Sequence, residues 1–71
     1  ADQIQTTVRA LIEQLPYDQR EVVIMRHFAN MSFKEIADAT GVSINTSLGR
    51  MRYALINLRK LIQEKQLVLS M

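Results

Sequence analysis

The stretch from Ser32 to Arg52, SFKEIADATGVSINTSLGRMR, leaves the chain few ways to fold. Ser32 and Glu35 stand at the S-x-x-E spacing in which each side chain satisfies a backbone N–H at a helix start, so a helix is expected from Phe33. Ile36, Ala37 and Thr40 give that helix a small apolar face. Gly41 falls where a helix can end in a left-handed residue at little cost. Val42 then fills the corner, and Ser43 caps the helix that follows. A short helix, a turn containing Gly and a longer second helix make the helix-turn-helix pattern, whose second helix lies in the major groove of DNA.

The rest of the chain reads as two further helices with almost no loop between them. Ile4, Val8, Leu11, Ile12 and Leu15 recur at helical spacing and predict a first helix from about Asp2 to Leu15. Pro16 opens the second, where its missing N–H does no harm. That helix is expected to reach about Phe28 and to bury Val22 or Val23, Met25 and Phe28, with Asp18 and Glu21 near its positive end. The third helix is Phe33 to Thr40, and the fourth starts at Ile44 and continues to about Gln66. The expected fold is therefore all-α: one compact four-helix domain over residues 1–71, with its helix-turn-helix at about 32–53 and no wing.

Seventy-one residues with 48% hydrophobic content can build a three- or four-helix core, but one of marginal stability. Without Cys there is no disulfide framework and no thiolate metal site, which fits an intracellular setting. No apolar run approaches the roughly 20 residues of a membrane span, and no signal peptide is visible. The expectation is a cytoplasmic protein with no membrane contact and no cofactor. A start at Ala1 rather than Met suggests a piece of a longer chain.

The net charge of +2 hides a strong asymmetry. Residues 1–40 carry four cations (Arg9, Arg20, Arg26, Lys34) against six acids, a net −2. Residues 41–71 carry five (Arg50, Arg52, Arg59, Lys60, Lys65) against Glu64 alone, a net +4. Such a division is the electrostatic footprint of a face that meets phosphates, although a solvated basic helix would also show it.

With each residue turning about 100°, Ile44, Ser47, Met51, Ala54, Leu55, Leu58, Leu61 and Ile62 fall on one stripe of the fourth helix. Opposite lie Asn45, Gly49, Arg52, Tyr53, Ile56 and Lys60. Ser47 occupies a core-facing position, where its hydroxyl can bond back to the carbonyl one turn earlier. Gly49 costs about 1 kcal/mol against Ala inside a helix, and on the outward face it either lets the backbone approach DNA or is merely tolerated. Asn45, Gly49 and Arg52 cluster centrally, and Arg can fork to guanine as Asn can to adenine. Thr46 and Arg50 share a flank suited to phosphates, with the backbone N–H groups near Ser43 and the side chain of Lys34 as further contacts. Elsewhere, His27 has no ligand cluster about it and reads as a surface residue. Arg20 either pairs with a carboxylate or touches DNA. The four Met residues read as flexible core filler.

At these residues the chain resembles a known family. The stretch LPYDQREVVIMRHFANMSFKEIADATGVSINTSLGRMRYALINLRK, which begins at Leu15, is similar to region four of bacterial extracytoplasmic-function (ECF) sigma factors, and the likeness covers Leu11 to about Lys60. The resemblance rests on L-P, then R-E-V, E-I-A, G-V-S, and a Thr with an Arg four residues on. It implies a role in transcription initiation, with binding to the -35 promoter element while docked on the flap region of RNA polymerase core. Control by an anti-sigma factor is often part of that role. Thr46 and Arg50 match the family's motif directly. Leu48 and Tyr53 stand where the family often has basic DNA-binding residues, Gly49 where it often has Ser, and Ser47 where it usually has Val, so the promoter sequence does not transfer.

Two other readings compete. The DNA-binding domain of a LuxR-type response regulator shares E-I-A and a similar turn, but not the L-P opening or the R-M-R-Y-A-L-x-N-L-R continuation. A helical interaction module without DNA binding draws on Ile56 and on the apolar end Leu67, Val68, Leu69, Met71. An enzyme is not expected, since no nucleophile and base, phosphate loop or ligand cluster stands at usable spacing.

Overall fold

The computed structural model describes the backbone of residues 2–69 and the side-chain surroundings of residues 8–64. Helix α1 is Asp2–Glu13, α2 is Tyr17–Val23 running directly into a π-helical turn Ile24–Phe28, α3 is Phe33–Thr40 and α4 is Ile44–Leu69. The expected all-α four-helix architecture holds, with no strand among the described residues. Helix α4 is the spine: α1, α2 and α3 all pack against it.

Helix α1 stops two residues earlier than expected because of Pro16. A residue before proline is pushed out of the α region, so the chain tightens first. The N–H groups of Gln14 and Leu15 donate to the carbonyls of Leu11 and Ile12, each at 3.0 Å, one residue short of the α-helical register. Pro16 is extended (φ −54°, ψ 151°) and precedes α2 rather than forming its first residue. Its carbonyl accepts the Arg20 N–H at 2.9 Å.

The second helix departs from expectation at its end. Ala29 N–H donates to Ile24 O at 3.1 Å and Met31 N–H to Met25 O at 3.0 Å, so the last turn is widened. Such π-turns are rare and come from an extra residue accommodated in the helix. The turn leaves Phe28 50% exposed instead of buried and turns Ile24 outward, while Met25 stays against the core. Asn30 leaves the turn with φ 55°, a left-handed conformation that Asn tolerates better than most residues.

One cluster forms the core: Ile12 of α1, Leu15 of the turn that follows it, Val22 and Val23 of α2, Ile36 of α3, and Met51 and Ala54 of α4, with Met25, Met31, Phe33, Leu58 and Leu61 packed around it. Both Val22 and Val23 are buried, where one of the two was expected. Three members of the expected α4 stripe, Ile44, Leu55 and Ile62, are instead exposed. The buried arc centres on Ser47, Met51, Ala54, Leu58 and Leu61, so those three stand at its edge. Val8 is also exposed, and the predicted core residue Ile4 lies outside the described side chains.

The expected capping box is formed. Glu35 N–H donates to Ser32 Oγ at 3.1 Å, and Ser32 N–H donates to Glu35 Oε1 at 2.8 Å. Hydrogen bonds from the Ser32 backbone and side chain hold the Glu35 carboxyl below its ordinary value of 4.5. A carboxyl whose folded value is lowered adds stability above its unfolded value, and that stability is lost as pH falls through the folded value. Glu35→Gln is therefore expected to flatten the acid limb of a stability–pH curve relative to the unsubstituted chain. Thermal unfolding of both proteins at stepped pH checks this; parallel curves would show that the box carries no charge-dependent stability.

Gly41 ends α3 at φ 70°, as expected of a left-handed cap, and Val42 N–H donates back to Ala37 O at 3.1 Å. Ser47 departs from expectation. It is 1% exposed, yet its Oγ has no hydrogen-bond partner, so the predicted bond to the preceding turn is absent. A buried hydroxyl without a partner costs about 1–3 kcal/mol. Ser47→Ala removes the hydroxyl without adding volume and is expected to stabilise the domain by about 1 kcal/mol. Unchanged or lower stability in urea unfolding would mean that the hydroxyl finds a partner in solution.

Candidate nucleic-acid interface

The turn into α4 is built by Ser43. Its Oγ accepts the Thr46 N–H at 3.1 Å and donates to Thr46 Oγ1 at 2.9 Å, so one hydroxyl caps the helix and fixes its neighbour's side chain. On the previous helix Thr40 Oγ1 donates to Ile36 O at 2.7 Å, which keeps that hydroxyl from competing for the turn. These bonds fix the end of α3 and the first turn of α4, and packing of α3 against α4 sets the two helices relative to one another.

From this start α4 presents Asn45, Leu48, Arg52 and Tyr53 to solvent. Gly49 lies between them, half-buried, and a Cβ built on it would meet nothing within 4 Å. The space above its backbone is open. Lys34 is exposed at the beginning of α3, which also places its ammonium group on the outside of the motif. Asn45, Leu48, Gly49, Arg52 and Tyr53 thus share one outward face of α4, with Ser43 and Thr46 at its head; the helical phase of the sequence indicates all of these α4 positions but Leu48, which lies at the face's edge.

Arg50 points elsewhere. Its guanidinium lies 3.7 Å from the Asp18 carboxylate of α2, and its side chain is only 27% exposed. One turn further along the same flank, Asn57 Nδ2 donates to Gln19 Oε1 at 2.6 Å. Arg50 and Asn57 therefore tie α4 to α2. Sequence reasoning missed both partners. The available signal was that Arg50 and Asn57 are seven apart, on a single polar line bordering the apolar stripe. With Asp18 63% exposed, the ion pair itself contributes about 0–1 kcal/mol.

The remaining polar candidates resolve simply. Arg20 donates to the Glu13 carbonyl at 3.4 Å and lies 5.6 Å from the Tyr17 ring centre, so it caps α1, and among the described residues it pairs with no carboxylate. The Glu21 carboxylate, as an acceptor for the phenol and then as a nearby charge, holds Tyr17 above its ordinary 10.0. His27 is exposed, and the described residues contain no group of three metal-ligating side chains. Within the described part of α4 the charges are Arg50, Arg52, Arg59 and Lys60 against Glu64.

A separate apolar surface lies on α1 and the π-helical turn. Val8, Ile24 and Phe28 are exposed there, and the Arg9 guanidinium covers Phe28 at 5.4 Å from the ring centre. Ile12 and Glu13 complete a shallow groove with Arg9, Ile24 and Phe28.

Fold and face together define a helix-turn-helix domain with a basic second helix. The chain belongs to the family described as sigma-70, region 4, whose model matches residues 5–54. It is also 34% identical over 50 residues to RNA polymerase sigma factor SigV of Bacillus subtilis (strain 168), which covers 70% of this chain. The chain spans about 30% of the length of that relative.

Proposed function

We propose that this chain reads the -35 element of a promoter as the DNA-binding part of an ECF sigma factor that directs RNA polymerase to begin transcription. The observation that carries this reading is the exposed face of α4, with Asn45 and Arg52 on either side of the open backbone at Gly49. Arg52 forks to a guanine edge and Asn45 to an adenine edge, while Leu48 and Tyr53 meet apolar and stacking surfaces of neighbouring bases or sugars. Lys34, Ser43, Thr46 and Arg50 serve phosphates at the rim. For Arg50 this requires phosphate to compete with Asp18, a weak and partly exposed partner.

Polymerase core is engaged through the apolar surface of Val8, Ile24 and Phe28, where the flap region would cover side chains that a lone domain leaves in water. The same surface is where an anti-sigma factor would block assembly. A cytoplasmic setting follows from that role, and no helix of the described residues is long and apolar enough to cross a membrane.

Duplex binding by the isolated chain is expected to be weak and to fall with salt at a log–log slope of about −0.9 per phosphate neutralised. With Arg52 on the face and Lys34 and Arg50 at its rim as the available cations, the slope should correspond to roughly three contacts, or two where Arg50 stays with Asp18. A titration from low to physiological salt measures it, and a slope near zero would remove the DNA reading.

A further inference from the structure

Of Asn45, Leu48, Gly49, Arg52 and Tyr53, Leu48 alone carries an aliphatic side chain. It is 44% exposed at the edge of the outward face, one turn before Arg52 and directly before Gly49. The other exposed aliphatic side chains of α4 are less well placed to read bases, a task that falls to the N-terminal residues of a recognition helix. Ile44, one turn earlier, is rotated about 40° further toward the core. Leu55 and Ile56 lie about 10–12 Å further along the axis.

Resting on the promoter reading above, we infer that Leu48 determines specificity by packing on the C5-methyl group of a thymine, one or two base pairs from the guanine taken by Arg52. The methyl is the one apolar group that the base edges present in the major groove. Against any other edge, Leu48 would cover a donor or an acceptor and leave it without a partner. Against the backbone it would lie beside charged oxygens. Leu48 and Arg52 differ by only about 40° around the helix, so they address the same side of the groove. They stand about 6 Å apart along the axis, and base pairs are stacked at about 3.4 Å, which sets the spacing between thymine and guanine.

Gly49 makes the contact reachable. A leucine is shorter than an arginine and needs the helix backbone close to the bases. A Cβ at Gly49 would project into open space, with nothing within 4 Å, so its absence removes an obstacle on the side from which DNA arrives.

The test uses the 71-residue chain and fluorescein-labelled duplexes at low salt. An array of short duplexes of every sequence first gives the preferred site. Deoxyuridine, which lacks only the methyl group, then replaces each thymine of that site in turn. Fluorescence anisotropy should show a loss of about fourfold at one thymine, the value of one buried methyl-sized group. The salt slope should stay the same, because an apolar contact neutralises no phosphate. At that position 5-methylcytosine should bind more tightly than cytosine by a similar factor, since Leu48 reads the methyl group and not the hydrogen-bonding edge. Leu48→Ala should bind the thymine and deoxyuridine duplexes alike, with circular dichroism establishing that it keeps the helical fold. A preferred site in which no thymine responds to loss of its methyl overturns the assignment and leaves the promoter reading standing. An equal response in Leu48→Ala also overturns it, by giving the methyl to another residue. An array with no preferred sequence would remove the promoter reading and the thymine contact together.

Discussion

Ile36→Ala is expected to destabilise the domain by about 2–5 kcal/mol, as buried Ile or Leu truncations do when the cavity cannot close. Ile36 is 1% exposed and is the largest buried side chain that α3 contributes to the core. The neighbouring Ala37 has no volume with which to fill the gap, and α3 is only 8 residues long. A domain of this size has about 4–10 kcal/mol in all, so the loss removes a large share of its stability. Urea unfolding should show a lower midpoint with an unchanged slope. A loss under 1 kcal/mol would mean that α3 is held by its capping box and left-handed Gly41 more than by its apolar face. Because α3 positions the start of α4, duplex binding should decline with the folded fraction and recover when stability is restored elsewhere.

Local chemistry that acts over three or four residues was legible in the sequence. The Ser32/Glu35 box, the Gly41 cap and the Ser43 cap are each set by one or two side chains and neighbouring N–H groups, and all three occur where the residues indicated. What needed tertiary information was less legible. The π-helical turn at Ile24–Phe28 precedes a connection that brings Met31 and Phe33 to the core, and no residue type announces it. The phase of α4 was misjudged for a related reason. Hydrophobic periodicity locates an apolar stripe but does not say how much of its width a neighbouring helix covers. Leu55 and Ile62 satisfy the period and remain half exposed at the edge of the buried arc.

The outward face was legible for the same reason that the core edge was not. Asn45, Gly49, Arg52 and Tyr53 lie opposite the centre of the stripe, and a rotation of half a residue leaves them in solvent. Arg50 lies on the border, where the same rotation decides between solvent and α2. Its partner Asp18 is 32 residues away in sequence and was read only as a favourable charge near the start of its own helix. A border residue carries no periodic signal of its own, so its contact had to come from the packed structure.

That difference between Arg50 and Arg52 sets the second large effect. Two residues on one helix are about 200° apart, so these side chains cannot reach the same part of a groove. Arg52 is exposed beside Asn45 and Gly49, whereas Arg50 leans toward Asp18. Arg52→Ala is therefore expected to cost about 1–3 kcal/mol in promoter binding and to relax preference at one or two base pairs. Arg50→Ala should weaken all sequences alike and lower the salt slope by about one contact. Asp18→Asn separates the ion pair from the phosphate role: freeing Arg50 from its carboxylate should raise affinity for every duplex modestly and leave base preference unchanged. The measurement compares the three variants on a cognate promoter and on single-base variants of it, with polymerase present. Altered base preference for Arg50→Ala together with an unaltered one for Arg52→Ala would reverse the assignment of the two faces. An unchanged affinity for Asp18→Asn would show that Arg50 belongs to the α2–α4 contact alone.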